Sequence, residues 1–244
     1  FDVLNGEIEK DATGKIKRTE IPETDEPNVR RYKVSAEIAV DLDFRRYPFD
    51  VQDLSISIYD PEKTTKQQVY VSDGDVIERE AKAKIPGFLL SEPAKGEVHE
   101  ESFDNANEKY SIYTIPLTMQ RATLSAFMKT FMPVMVMVLI SLLALVMGGG
   151  AAAGRFGAVT GTLLGAAMFH LATTSSLPPI GYVTLADKVF IAVYFSFLTN
   201  LLFTVVLLRK NDLKEEAAVK MIYNTARIAV PAATAAFVAI ATMI

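Results

Sequence analysis

Residues 154–182 read GRFGAVTGTLLGAAMFHLATTSSLPPIGY, and this stretch decides the fold. It is one of four segments close to the length of about 20 residues that a helix needs to cross a membrane. The other three, residues 130–147, 189–208 and 228–244, are plainly apolar, whereas this one holds four threonines, two serines and a histidine. Polar residues at membrane depth are tolerated where they face protein or a water-filled cavity. We therefore predict that this helix lines a hydrated space.

The charges divide the chain into two parts. Residues 1–125 carry 25 acidic and 17 basic side chains, a net −8, and the rest carry 4 acidic and 8 basic, a net +4. The link between the third and fourth spans is rich in bases: Arg209, Lys210, Lys214, Lys220 and Arg227. Lys and Arg concentrate in short cytoplasmic loops. Four crossings then place the acidic N-terminal part on the extracellular or periplasmic side.

The residue content argues against several classes of function. The chain has no cysteine, and it shows no Cys/His metal spacing, phosphate-binding glycine loop or nucleophile motif. We therefore expect no enzymatic activity and no cofactor. Basic residues of the N-terminal part are interleaved with acidic ones, which argues against a nucleic-acid partner.

The N-terminal part has the pattern of antiparallel strands. Residues 32–40 and 53–59 alternate apolar and polar side chains, and residues 110–119 are rich in β-branched and aromatic ones. Strands at this spacing predict an immunoglobulin-like β-sandwich over residues 1–124. About 125 residues are few for such a domain with long loops, so we expect its leading strands to be missing before Phe1.

The whole chain is thus predicted to be an α+β membrane protein. A four-helix transmembrane bundle over residues 125–244 follows the sandwich. Its helices are expected at about 126–147, 155–176, 185–208 and 221–244.

Residues 41–52, DLDFRRYPFDVQ, join two predicted strands. Taken alone, they are typical of a packed turn with a hydrophobic tip. In context they resemble the signature loop of the pentameric ligand-gated ion channels, the Cys-loop receptor superfamily, which has an aromatic residue, Pro, Phe, Asp, any residue and Gln. Val40 and Leu54 stand where the family has its two cysteines. The resemblance is therefore to the bacterial branch, whose members lack that disulfide.

Further landmarks of the family follow in order. Arg121 and Pro133 resemble the arginine before the membrane and the proline of the first helix. Residues 155–178 resemble the pore helix with its outer loop, and residues 227–231, RIAVP, resemble the start of the last helix. The resemblance implies a homopentamer in a bacterial inner membrane, with an N-terminal ligand-binding domain. Its partners would be copies of itself, lipids, permeant ions and a small agonist that the sequence does not identify.

The resemblance also implies which face of the second helix lines the pore. With 3.6 residues per turn, one stripe of that helix faces the common axis. The expected pore-lining residues are Gly157, Gly161, Leu164, Met168, Leu171, Ala172 and Ser175. Five leucines around an axis can exclude water without a physical plug, so Leu164 and then Met168 are the expected gate. Ordinary helix packing of Leu164 is the alternative.

Coupling between the two parts is expected at the signature loop. Asp50 and Arg121 are predicted to form a partly desolvated carboxylate–guanidinium pair. The loop tip, Tyr47-Pro48-Phe49, is predicted to press on the turn from Pro178 to Tyr182. The alternatives are that Asp50 caps a turn and that Arg121 binds lipid phosphate.

The stimulus and the permeant ion are less defined. The chain has no tryptophan, and Pro61 stands where amine-binding relatives often place one, which argues against an aromatic amine box. An acidic segment is a candidate site for Ca²⁺ as a modulator, or for protons, through Glu97, Glu100, Glu101 and Asp104. A solvated charged loop is the alternative.

Selectivity is expected to be weak, with a preference for cations. Ala153 and Gly154 replace the glutamate ring of cation-selective relatives, while the acidic N-terminal part attracts cations. An anion-selective channel of the same family, and a non-conducting membrane sensor or assembly module, are the alternatives.

Overall fold

The computed structural model describes residues 2–4, 6–9, 18–20, 32–72, 85–91, 95–103, 108–148 and 151–243. Its strands are β1 Asp2–Val3, β2 Gly6–Ile8, β3 Arg18–Glu20, β4 Tyr32–Val34, β5 Ala36–Ile38, β6 Val51–Asp53, β7 Ile56–Tyr59, β8 Phe88–Leu90, β9 Glu97–Glu101, β10 Tyr110–Ile115 and β11 Thr118–Arg121. Its helices are α1 Thr123–Thr130, α2 Met132–Leu143, a 3-10 turn Ala144–Val146, α3 Ala152–Thr174, α4 Leu185–Asp212 and α5 Glu216–Met243.

The chain divides into two compact units. The β unit comprises Phe1–Asp43 and Val51–Gln120, and the helical unit comprises Phe44–Asp50 and Arg121–Ile244. The central part of the signature loop, Phe44–Asp50, is therefore part of the helical unit, although it lies between two strands in sequence. The sequence boundary at residue 124 falls four residues beyond the point where the chain finally enters the helical unit.

The β unit is built from antiparallel strand pairs. β1, β7, β10 and β9 form a four-stranded sheet in that order, and β6, β11 and β8 form a three-stranded one. Two further pairs join β2 to β5 and β3 to β4. Ile112 at the centre of the larger sheet is fully buried, and Val3, Ile8 and Met119 are also buried.

None of the three predicted strands is continuous, and two of the interruptions have local chemical reasons. The run 110–119 breaks between β10 and β11 at Pro116, which has no N–H to donate to a neighbouring strand. The run 53–59 begins instead with a turn, in which the Asp53 carboxylate accepts from the Ser55 N–H at 3.0 Å and from its hydroxyl at 2.6 Å. The third run, 32–40, forms β4 and β5, which pair with different partners.

The first predicted span is not one straight helix. α1 and α2 meet at an angle of 41° around Phe131, so the expectation of a continuous helix over residues 126–147 is wrong. Pro133 accounts for the break, because it cannot donate a hydrogen bond to the carbonyl four residues earlier and its ring clashes there.

Among the described residues, three helices, α3, α4 and α5, are long and apolar enough to cross a membrane, and the bent pair of α1 and α2 would make a fourth span. They suggest a membrane protein. A core of Val134, Ala166, Phe190, Val193 and Phe197 joins α2, α3 and α4. A second cluster, Leu145, Ala226 and Val230, joins the 3-10 turn to α5.

The helix ends differ from the expected ones by up to five residues. α3 begins three residues early, at Ala152, and α4 continues four residues further, to Asp212. α5 begins five residues early, at Glu216, and the expected last residue, Ile244, lies outside the described residues. The link from α4 to α5 is short because Lys214 takes a left-handed conformation, with φ 57°, which ends one helix and lets the next begin.

Candidate functional site

The loop Phe44–Asp50 is compact and mostly buried within the helical unit. Phe44, Tyr47, Pro48 and Asp50 are buried, and the Tyr47–Pro48 peptide bond is cis. Two backbone hydrogen bonds close its turns, from the Tyr47 N–H to the Phe44 carbonyl at 2.9 Å and from the Phe49 N–H to the Arg46 carbonyl at 2.8 Å. These bonds give the loop a defined shape of its own.

Asp43 and Gln52, which stand on either side of this loop in sequence, are hydrogen-bonded to each other. The Gln52 amide is 2% exposed, accepts from the Asp43 N–H and donates to the Asp43 carbonyl, both at 2.9 Å. The two bonds clamp the residues before and after the loop. This explains the glutamine at the end of the signature motif, to which the sequence alone assigned no role.

Asp50 and Arg121 form the predicted pair. Arg121 Nε donates to Asp50 Oδ1 at 2.8 Å, and Arg121 Nη2 donates to Oδ2 at 3.2 Å. The Asp50 side chain is fully buried and that of Arg121 is 22% exposed. The guanidinium carbon also lies 5.0 Å from the centre of the Tyr47 ring. Such a two-point contact fixes orientation as well as distance.

The loop contacts Tyr182 through different residues from those expected. The Tyr182 hydroxyl accepts from the Phe44 N–H at 2.9 Å, and the Arg45 guanidinium lies 5.0 Å from the Tyr182 ring centre. Phe49, at the expected tip, packs on Phe131 where α1 meets α2, with ring centres 5.9 Å apart. The tip therefore reaches the first span, while the earlier part of the loop reaches the turn after α3. Pro178 in that turn is exposed.

The start of α4 is tied to the same loop. The first two helical N–H groups, of Leu185 and Ala186, donate to the carbonyls of Arg45 at 2.9 Å and Tyr47 at 3.1 Å. Thr184 and Asp187 form a capping box, in which each side chain accepts from the backbone N–H of the other. Every bond in this set satisfies a donor that a helix start would leave unpaired.

One face of α3, which we call the open face, is exposed along its length. Leu164 is 66% exposed, Met168 61% and Leu171 64%. The remaining expected pore-lining residues, Gly157, Gly161, Ala172 and Ser175, are exposed as well. The Ser175 hydroxyl donates to the carbonyl of Ala172 in its own helix, at 3.1 Å. All seven residues thus lie on one uncovered stripe.

The opposite face of α3, the packed face, is buried. Arg155, Val159, Thr162 and Ala166 are at most 7% exposed and recur every three or four residues. The Arg155 guanidinium is fully buried, with Nη2 3.4 Å from the Asn200 oxygen, and its other two nitrogens have no hydrogen-bond partner within the described residues. Asn200 also donates to the carbonyl and hydroxyl of Ser141, at 2.8 and 2.9 Å.

The described part of the acidic segment that was proposed as a Ca²⁺ site forms a strand. Glu97, Glu100 and Glu101 belong to β9, where successive side chains alternate between the two faces of the sheet, and all three are exposed. Glu100 pairs with Lys109 at 3.2 Å. Asp104 lies outside the described residues, within which no group of three His, Asp or Glu side chains could hold a metal ion. The geometry found there therefore does not add to the Ca²⁺ hypothesis.

Asp60, next to Pro61, is a poor sensor of mild acid. Burial alone acts to raise the pKa of its carboxyl group. The Glu62 N–H at 3.1 Å and the Lys63 ammonium at 3.4 Å act the other way and hold that pKa below its usual range. The carboxylate therefore stays ionised in mildly acidic solution.

Several residues of these contacts were not singled out from the sequence. The spacing Thr184-x-x-Asp187 before an apolar run is a capping-box signal and predicts the start of α4. Asn200 and Ser141 are polar residues inside apolar spans, which marks them for pairing. Arg45 contributes its carbonyl and its guanidinium, and no sequence pattern distinguishes it from Arg46.

No protein-family model matches this sequence, and no curated protein matches it either.

Proposed function

We propose that this chain is the subunit of a homopentameric, ligand-gated ion channel of a bacterial inner membrane, related to the Cys-loop receptors without their disulfide. In this proposal the β unit is an immunoglobulin-like sandwich outside the membrane, and α1 with α2, α3, α4 and α5 form four transmembrane spans. The signature loop passes the stimulus to α3, which lines the pore.

The open face of α3 carries the proposal. One face of this helix packs into its own chain, and the other leaves Leu164, Met168 and Leu171 almost two-thirds exposed. α3 is also the least apolar of the three helices that are long enough to span a membrane. A helix facing lipid on that side would not need glycines at 157 and 161, since each costs about 1 kcal/mol of helix stability relative to alanine. Around a fivefold axis, those glycines leave room for ions.

The position of Arg155 supports a weak preference for cations. Its guanidinium is fully buried inside the chain, so it adds no ring of positive charge to the proposed pore. Exposed Ala153 and Gly154 bring no charge there either. Neither Arg155 nor the pair Ala153 and Gly154 therefore selects strongly between cations and anions. The acidic N-terminal part favours cations.

The test compares two equally exposed leucines on different helices. Leu164→Ser on α3 is expected to give a conductance without any agonist when the purified protein is placed in a planar bilayer, because five serines no longer exclude water from the axis. Leu202→Ser on α4, where the leucine is 67% exposed, is the matched control and is expected to stay silent. Native mass spectrometry must find five copies in both proteins.

Each outcome separates one alternative. Pentamers in which Leu164→Ser carries no current would overturn the channel and favour a non-conducting sensor or assembly module. Equal leaks from both variants would show that α3 does not hold the gate. The reversal potential of the leak in a KCl gradient gives the sign of the permeant ion, and a value near the chloride potential would favour the anion-selective alternative.

A further inference from the structure

His170 joins the packed side of α3 to α4 through both of its ring nitrogens. Nε2 lies 2.9 Å from Asp187 Oδ1, and Nδ1 lies 3.0 Å from the Tyr194 hydroxyl. The ring stacks on Phe190 with centres 4.4 Å apart and planes 8° apart. Since an ionised carboxylate can only accept, Nε2 donates to Asp187. The Tyr194 hydroxyl that contacts Nδ1 also donates to the Ala166 carbonyl of α3, at 3.4 Å. The imidazole is therefore held at three points.

Asp187 uses both of its oxygens for different elements. Oδ1 takes the bond from His170, while Oδ2 accepts from the Thr184 N–H at 2.8 Å and from its hydroxyl at 2.9 Å. Thr184 is 1% exposed. One carboxylate thus fixes the cap of α4 and anchors α3 to it. The capping box alone would need only one of the two oxygens.

The other side of the same helix turn holds the signature loop. The N–H groups of Leu185 and Ala186 donate to the carbonyls of Arg45 and Tyr47, so the loop cannot shift without moving the first turn of α4 or breaking these bonds. A continuous set of hydrogen bonds therefore runs from the loop through the cap of α4 to His170. His170 lies six residues beyond Leu164, about 9 Å along the helix axis at 1.5 Å per residue.

We propose that Asp187 and His170 are positioning residues that transmit movement of the signature loop to the pore helix. This inference rests on the proposed channel function and adds the path of coupling within one subunit. The path is short and only partly exposed to water, with His170 22% and Asp187 20% exposed, so its bonds are stronger than exposed ones. Neither residue reaches the open face, so neither contacts an ion in the pore.

The first test measures coupling energy without needing the agonist. Single-channel open probability is recorded in the leaking Leu164→Ser protein, alone and with Asp187→Ala, His170→Ala or both. His170→Ala is expected to shift the ratio of open to closed states about tenfold, since it removes a charge-assisted bond, and Asp187→Ala by at least as much, since it also removes the cap bonds to Thr184. The double variant is expected to shift the ratio no further than Asp187→Ala alone, because both changes break the same link. A shift in the double variant equal to the product of the two single shifts would mean independent effects and would overturn the link.

Two substitutions of His170 separate the bond from the space that the ring fills. A glutamine amide can occupy the place of Nε2 and donate to Asp187, whereas the shorter asparagine reaches only the place of Nδ1. We expect His170→Gln to stay within twofold of the background and His170→Asn to behave like His170→Ala. Thr199→Ala on α4, which removes a hydroxyl bonded within its own helix, is the control and is expected to have no effect. Equal effects of the two His170 variants would contradict the assignment.

A second measurement does not depend on current. Hydrogen exchange followed by mass spectrometry is expected to be faster at residues 44–50 and 185–187 in His170→Asn, and unchanged in His170→Gln and Thr199→Ala. Unchanged exchange in His170→Asn would overturn the link even in a working channel. If exchange responds as expected while Leu164→Ser carries no current, the channel fails and the contact path stands.

Discussion

Two regions of the helical unit differ in how their side chains are covered. At the loop end, where Phe44–Asp50 meets the start of α4, the polar groups are paired within the chain, whereas the side chains on the open face of α3 are exposed. At the loop end, the Asp50–Arg121 pair and the bonds from the Leu185 and Ala186 N–H groups to the loop carbonyls connect parts of the chain that are far apart in sequence. On the open face, Leu164, Met168 and Leu171 are almost two-thirds exposed. The first region is complete within one chain. The second becomes complete only when something outside the chain covers it or fills the space beside it.

This difference predicts where substitutions affect folding and where they affect function alone. At the loop end, removal of one partner leaves a buried group unpaired, which destabilises the subunit itself. On the open face, Leu164, Met168 and Leu171 are largely exposed in the described structure, so substitutions there disturb little packing within the chain. Stability and conductance should therefore respond separately in the two regions.

Asp50→Asn is expected to have the largest effect on stability. The new amide places an N–H₂ group against the Arg121 guanidinium, so two donors face each other in a site where the carboxylate is fully buried. Breaking a buried pair costs about 3–5 kcal/mol, and the partial exposure of Arg121 places this pair at the lower end of that range. The measurement is the temperature at which half of the protein has unfolded in detergent.

Glu100→Gln is the matched control for that substitution. Glu100 pairs with Lys109 at 3.2 Å, but the two side chains are 49% and 62% exposed. Exposed pairs are worth about 0–1 kcal/mol, so the midpoint should hardly move. Similar losses in the two variants would show that the Asp50 pair is no more than a surface contact.

The next largest difference in stability is expected when alanine is replaced by leucine on each of the two faces of α3. Ala166→Leu adds three carbons to a fully buried site in the core with Val134 and Phe190, which is expected to cost about 1–3 kcal/mol. Ala172→Leu adds the same atoms to the open face, where the melting midpoint should stay unchanged and the current through the Leu164→Ser background should fall. A lower midpoint in both variants would mean that the open face is packed within the subunit.

Much of the helical unit could be predicted from sequence, because its signals are local. Three apolar runs of about 20 residues and the spacing of small and apolar residues along α3 fix the helices and the face that is left open. Pro133 and Pro116 are also visible in the sequence, yet the predictions carried the first span and the last strand straight through them. A proline's missing N–H acts at the position itself, so these two breaks were predictable.

The contacts of the loop could not be predicted in the same way. Arg45 and Tyr47 accept from the first turn of α4 through their backbone carbonyls, and every residue has a carbonyl. The pair of Asp50 and Arg121 was predicted through the resemblance to the Cys-loop receptors, whereas the contact of Phe49 with Phe131 depends on the bend between α1 and α2. The division of the chain, with the loop in the helical unit, follows from these contacts.

Gly161→Ala is expected to give the smallest change, with opposite signs for stability and current. A Cβ at Gly161 meets nothing within 4 Å among the described residues, so the methyl group adds no clash and raises helix stability by about 1 kcal/mol. For a chain of this size, that corresponds to a rise of about 2–4 °C in the melting midpoint. Because the five methyl groups would line the axis, single-channel current in the Leu164→Ser background should decrease.

Gly165→Ala distinguishes the two faces in this last comparison. Its Cβ would lie 3.6 Å from the end of Met137, an ordinary contact away from the open face, so the gain in stability should be similar. The current, however, should not change. If Gly165→Ala lowers the current as much as Gly161→Ala, the axis does not run along the stripe of Gly157, Gly161 and Leu164. The pore would then have to be formed by a different face of α3, and the exposure of Leu164 would reflect contact with lipid.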